Sequence, residues 1–138
     1  MANELRGSCL CGAVSYEANG ESAFQGFCQC LDCRKATGSG HLAAIGMREE
    51  AVKVIGETKS FSKPADSGGI VARHFCPTCG SLLFDKSTGM PGLIVLNAAV
   101  LDDPEVFKPE SIVFTKSALS WDHLDPQLPG FEGMPPME

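Results

Sequence analysis

Long apolar stretches are missing from this chain. The longest, Leu93 to Leu101, is interrupted by Asn97 and falls far short of the roughly 20 residues a membrane-spanning helix needs. The opening residues, MANELRGSCLCGAV, hold no basic segment followed by an apolar one, so no secretory signal is expected. Positive charge is also scarce. Eleven Lys and Arg stand against seventeen Asp and Glu, for a formal net charge of −6 and a pI near 5.0. A surface of that sign repels phosphate backbones and anionic lipid, so neither nucleic acid nor a membrane is expected as a partner. Repeats, low-complexity segments and linkers are absent too. The 138 residues are therefore expected to form a single domain over 1–138, located by default in the cytoplasm, where thiols stay reduced.

What the chain does hold is 15 glycines, 9 prolines and short runs of branched and aromatic residues, a balance that favours a mainly β protein of short strands. Strands are expected at Val14 to Glu17, Ala23 to Cys28, His41 to Met47, Ala51 to Ile55, Thr58 to Ser62, Ile70 to Cys76, Ser81 to Asp85 and Ile112 to Thr115. Leu93 to Asn97 is continuously apolar and reads as a buried strand. Leu31 to Thr37 reads as a helical turn ended by Gly38-Ser39-Gly40, and Lys63 to Gly69 as a loop. From about residue 125 four prolines predict an irregular arm on the surface.

The seven cysteines fall into three groups: Cys9-Leu10-Cys11, Cys28-Gln29-Cys30-Leu31-Asp32-Cys33 and Cys76-Pro77-Thr78-Cys79-Gly80. Reduced thiols so clustered, in odd number, point to metal rather than to disulfides. The last group has knuckle spacing, two residues between thiols and a glycine after them. A closed zinc site takes four ligands, so Cys76 and Cys79 need a second pair, and Cys9 with Cys11 is the natural one. Cys28, Cys30 and Cys33 then share a second ion with one coordination position open, the mark of a catalytic zinc. A redox Cys-x-x-Cys pair, iron–sulfur ligation, or closure of the second site by His41, His74 or Asp32 are the alternatives.

These groups resemble the glutathione-dependent formaldehyde-activating enzyme family, which includes centromere protein V. The resemblance rests on Gly7 to Val14, on Cys28 to Lys35 with Gly38-Ser39, on Phe75 to Gly80, and on the closing Phe114-Thr115-Lys116-Ser117 with Trp121. It implies a β-tent fold, a structural zinc on Cys9, Cys11, Cys76 and Cys79, and a catalytic zinc on Cys28, Cys30 and Cys33. It also implies carbon–sulfur lyase chemistry on the adduct of formaldehyde with the glutathione thiol. Many members carry histidine where this chain has Gln29, and glutamine hydrogen-bonds without carrying a proton.

Around the open site, Arg34 and Lys35 are the expected holders of a substrate carboxylate, and Ser39 and His41 the further candidates for substrate contact. His74 is expected to support the knuckle, and Trp121 to lie in the core. A zinc-built binding module and a thiol or metal sensor stand as alternatives to the enzyme acting on a small thiol adduct. The four-plus-three partition predicts two zinc ions per chain, the three-cysteine site being the weaker. Elemental analysis during mild chelation should show one equivalent leaving well before the other; loss of both together contradicts the partition.

Overall fold

The computed structural model describes residues 4–66 and 68–135. The elements are β1 (Glu4–Ser8), β2 (Ser15–Asn19), β3 (Phe24–Cys28), α1 (Leu31–Thr37), β4 (Leu42–Arg48), β5 (Val52–Ile55), β6 (Lys59–Pro64), β7 (Ile70–Phe75), β8 (Leu82–Ser87), β9 (Leu93–Asn97) and β10 (Ser111–Val113), with four short 3₁₀ turns. One sheet has three strands in the order β1-β2-β5. The other has seven, in the order β10-β3-β4-β9-β8-β7-β6. Pairing is antiparallel throughout except that β10 runs parallel to β3. The expected mainly β tent is therefore what the chain forms.

Alternation along the strands decides what lies on each face of the large sheet. In β4, Ile45 and Met47 join a core with Leu5 and Tyr16 of the small sheet and Leu83 and Leu96 of β8 and β9. Leu42 and Ala44, the alternate residues, join a second apolar cluster with Cys33, Leu82 and Val95. The large sheet is thus covered on both faces, which is why Leu93 to Leu96 can be apolar without a break. Burying side chains such as Tyr16, Ile45, Met47 and Leu96 contributes roughly 1.5–3 kcal/mol each. The Tyr16 hydroxyl, sealed in the core, donates to the Asn97 carbonyl at 2.9 Å and so binds the small sheet to the large one.

Three sequence expectations need correction. β1 carries a single large apolar residue, Leu5, and gave no strand signal, yet it pairs along its whole length with β2. The loop expected from Lys63 begins two residues later: β6 runs to Pro64, which an edge strand tolerates because its N–H is not needed there. Trp121 is 66 % exposed and lies outside the core. The prolines of the tail leave it without helix or strand, but it does not hang free. Ile112 donates to the Pro129 carbonyl at 2.9 Å and Phe131 donates back to Ile112 at 2.8 Å, so the tail extends the sheet beyond β10.

The cysteine groups sit at turns. Cys9 and Cys11 occupy the turn between β1 and β2, and Cys76 and Cys79 the turn between β7 and β8, so the two pairs belong to different sheets. Cys11 and Cys76 are 65 positions apart in sequence. A metal shared there ties distant parts of the chain, and its binding energy becomes folding energy. Cys28, Cys30 and Cys33 lie together at the end of β3 and the start of α1, so a metal there closes almost no chain. Cys76→Ala should therefore give unfolded or insoluble protein. Cys30→Ala should stay folded, with a melting temperature only a few degrees lower, a cost of about one or two kcal/mol. Thermal melts that rank the two variants the other way round would reverse these roles.

Candidate metal centres and the cavity beside them

The four sulfurs of Cys9, Cys11, Cys76 and Cys79 lie within 4.8 Å of one another. Cys9 Sγ and Cys11 Sγ are 3.7 Å apart, as are Cys11 Sγ and Cys76 Sγ. A tetrahedral ion with bonds to sulfur of about 2.3 Å has edges of about 3.8 Å, which these two distances match. Local structure fixes the sulfurs. Val14 N–H donates to Cys9 Sγ at 3.2 Å, and Cys79 and Ser81 meet through Sγ and Oγ at 3.3 Å. The bonds from Ser81 pull the Cys79 thiol below its ordinary value. His74, expected to support this knuckle, makes its recorded contacts with other residues. Its ring stacks on Phe84 with centroids 4.5 Å apart, and its Nδ1 meets Thr58 Oγ1 at 3.0 Å.

Cys28, Cys30 and Cys33 form the second cluster, their sulfurs also within 4.8 Å of one another. Cys30 is the N-cap of α1, its Sγ accepting from the Cys33 N–H at 3.2 Å, and Gly38 ends the helix in the left-handed conformation at φ 71°. The cap and the first turn thereby aim the sulfurs of residues 30 and 33 to the same side, where Cys28 arrives from β3. Hydrogen bonds from the Cys28 and Cys33 sulfurs hold the Cys30 thiol far below its ordinary value, and the Arg73 charge adds to the effect. The same contacts push Cys28 and Cys33 up. Each sulfur that ionises thus makes ionisation of its neighbours harder. Only a metal ion lets all three ionise.

All three sulfur-bearing residues line a cavity of about 470 Å³. That volume lies within the roughly 300–1,000 Å³ usual for small-molecule sites. Phe24, Phe27, Leu42, Met90 and Val95 supply apolar wall, and Lys63, Arg73, Asp32, Asp66 and Asp85 the charges. Arg34, Lys35, Ser39 and His41 do not line it among the described residues. Arg34 follows Cys33 by one residue, a turn of about 100° round the helix, which takes it off the sulfur face. Its Nε is buried with no partner among the described residues. Ser39 and His41 serve a different structure. Ser39 Oγ donates to the His41 carbonyl at 2.5 Å, and the His41 ring meets the Asp122 carboxylate at 3.0 Å.

That carboxylate also receives the side chain of Gln29. Gln29 is buried, and its Nε2 donates to Asp122 Oδ2 at 3.1 Å. Partial burial works against ionising Asp122, but the bonds from Gln29 and His41 outweigh it and hold the carboxyl below its ordinary value. Gly40 makes room for this group, since a Cβ there would run into the Asp122 carboxylate. The residue between the first two cysteines of the cluster is thus committed to anchoring the segment that follows β10.

Sequence reasoning missed Arg73 and Asp85. They are cross-strand partners on β7 and β8, and both line the cavity. The available signal was a lone carboxyl in the apolar run Leu82-Leu83-Phe84-Asp85. Asp85 is 7 % exposed and makes no hydrogen bond or ion pair among the described residues. Burial pushes its carboxyl up to about 6, against a pull from Arg73 and with a further push from the Cys30 sulfur.

The two sheets meet at a four-cysteine cluster and a three-cysteine cluster borders a cavity, and each cluster brings its sulfurs close enough to hold a metal ion. A family pattern described as "Glutathione-dependent formaldehyde-activating enzyme" matches residues 4–117, and the chain belongs to that family. It is 29 % identical over 113 residues to a Halomonas elongata protein named "Putative glutathione-dependent formaldehyde-activating enzyme", an alignment covering 78 % of this chain and 72 % of the relative. The crystal structure of a Rhodobacter sphaeroides protein superposes with a TM-score of 0.55 at 20 % identity, covering 91 % of this chain and 98 % of that one, a likeness of fold. Among the described residues no helix is long and apolar enough to cross a membrane.

The raised Asp85 carboxyl makes a prediction about stability. The folded protein holds that proton more tightly than the unfolded chain, whose carboxyl titrates near 3.9. Stability from this group is therefore full below about pH 4 and lost as pH rises towards about 6, on the order of 3 kcal/mol by neutral pH. Asp85→Asn, which cannot ionise, should be the more stable protein at pH 7.5, and its advantage should shrink by about half at pH 5. Denaturant titrations at matched metal content check this; an advantage that is absent, or constant with pH, contradicts it.

Proposed function

We propose that this chain is a carbon–sulfur lyase that makes or breaks small thiol–aldehyde adducts. In this reading Cys9, Cys11, Cys76 and Cys79 hold a structural zinc, and Cys28, Cys30 and Cys33 hold a catalytic one. S-hydroxymethylglutathione, the adduct of formaldehyde with glutathione, is the example that the family's description suggests. One observation carries the reading: three sulfurs within 4.8 Å of one another form part of the wall of a cavity large enough for a small molecule. A sensor or a purely structural site needs no such cavity.

Bound at the three cysteines, zinc would supply the positive charge that favours a deprotonated substrate sulfur. The chain's own residues do the rest. The apolar wall excludes water from the adduct, which strengthens every charge interaction inside. When the adduct breaks, the bond between carbon and sulfur cleaves with its electron pair leaving on sulfur, and the carbon-bound hydroxyl gives up its proton as the carbonyl forms. In this reading Asp85, a buried carboxyl of the cavity wall, takes that proton on an Oδ atom and in the reverse direction returns it to the carbonyl oxygen. A carboxyl poised near neutral pH suits both directions. Gln29 cannot share this work, because an amide carries no proton and its side chain is bonded to Asp122.

Exchange NMR on formaldehyde adducts of a panel of thiols, glutathione among them, tests the reading with full-length protein loaded with zinc. Acceleration over buffer is expected for at least one adduct. It should be abolished in Cys30→Ala and reduced roughly 10²- to 10⁴-fold in Asp85→Asn, the range that proton-transfer catalysis supplies. No acceleration with any thiol contradicts the proposal.

A further inference from the structure

The charges of the cavity say what kind of thiol it accepts. Its lining holds two cations among the described residues, Lys63 and Arg73. Lys63 is already engaged, its Nζ lying 2.6 Å from Asp32 Oδ1 across the cavity rim. Arg73 has no hydrogen bond and no ion pair within 4.0 Å among the described residues, although Asp85 stands opposite it in the register. Arg73 lines the same cavity as Cys28, Cys30 and Cys33. A guanidinium left open beside a sulfur cluster is a fork for one carboxylate carried near the substrate's own sulfur.

The same inventory excludes a second carboxylate. Asp32, Asp66 and Asp85 also line the cavity and Asp32 already pairs with Lys63, so a second carboxylate finds no open cation among the described lining residues. The remainder of the wall, with Phe24, Phe27, Leu42, Met90 and Val95, offers hydrocarbon and aromatic faces. Glutathione carries two carboxylates, an ammonium and two amides. Its second carboxylate would have to be stripped of water with no open cation to receive it, and much of its peptide body would meet hydrocarbon, which costs affinity.

We propose that the site takes adducts of a small mercaptocarboxylate, with one carboxylate seated on Arg73 and an apolar body against the Phe24, Phe27 and Met90 wall, in preference to glutathione. This rests on the proposed thiol–aldehyde reading of the same site. Arg73 is then a specificity-determining residue, and the carboxylate that it reads lies within a few bonds of the substrate thiol.

Calorimetric titration of full-length zinc-loaded protein provides the test, with 2-mercaptomethyl-3-phenylpropanoic acid, its methyl ester and glutathione as probes. The acid is expected to bind at least tenfold more tightly than glutathione and roughly ten- to hundredfold more tightly than its ester, the range for a charge-assisted bond. In Arg73→Met the acid should fall to the level of the ester. Arg73→Lys, which keeps the charge and loses the fork, should lie between. Glutathione binding more tightly than the acid overturns the inference and leaves the lyase reading standing, as does an acid–ester difference that persists in Arg73→Met. Failure of all three probes to bind overturns both.

Discussion

Thiolates repel one another, and the whole arrangement depends on how that repulsion is relieved. Four sulfurs from turns of two different sheets meet within 4.8 Å, and three more meet within the same distance at the head of α1. In water at neutral pH most of these thiols would stay protonated and the groups would gain little by meeting. A cation changes the balance, because it favours the ionised form at every sulfur it touches. With metal bound at both clusters, the joint between the sheets and the poise of the three-cysteine cluster would be two consequences of one interaction, metal with thiolate.

The two clusters differ in what their metal would be asked to do. The first spans 65 positions of sequence between Cys11 and Cys76, and it lies where the β1–β2 turn meets the β7–β8 turn. The apolar core between the sheets already stabilises that approach, and a metal there would reinforce it. The second lies within a single strand end and helix start, and it borders the cavity. Because its ion closes almost no chain, its chemistry can change without disturbing the sheets. Asp85 belongs to the same side of this division. A buried carboxyl without a partner among the described residues costs stability, and sites of function are where such groups persist.

What the sequence made legible was what is coded locally. The pairing of the cysteines followed from counting ligands, and α1 begins and ends at the residues expected because its cap, Cys30, and its stop, Gly38, are neighbours in the chain. Leu93 to Asn97 stood out because a strand covered on both faces needs no polar residues. What stayed hidden depends on register. Arg73 and Asp85 face each other only because β7 and β8 pair as they do, with a shift at His74 and Phe75 that no local pattern announces. Arg34 and Lys35 drew attention by standing next to Cys33, but adjacency on a helix separates faces rather than joining them. The network of Gln29, His41 and Asp122 joins residues 93 positions apart and left no sequence trace.

The central claim is that one cluster is closed and the other open to a substrate sulfur. Cadmium-113 NMR of the cadmium-substituted full-length protein addresses it directly. Two signals in the sulfur-rich range are expected, one indifferent to added small thiol and one that moves as the thiol binds. A single signal, or two that both ignore thiol, would contradict it.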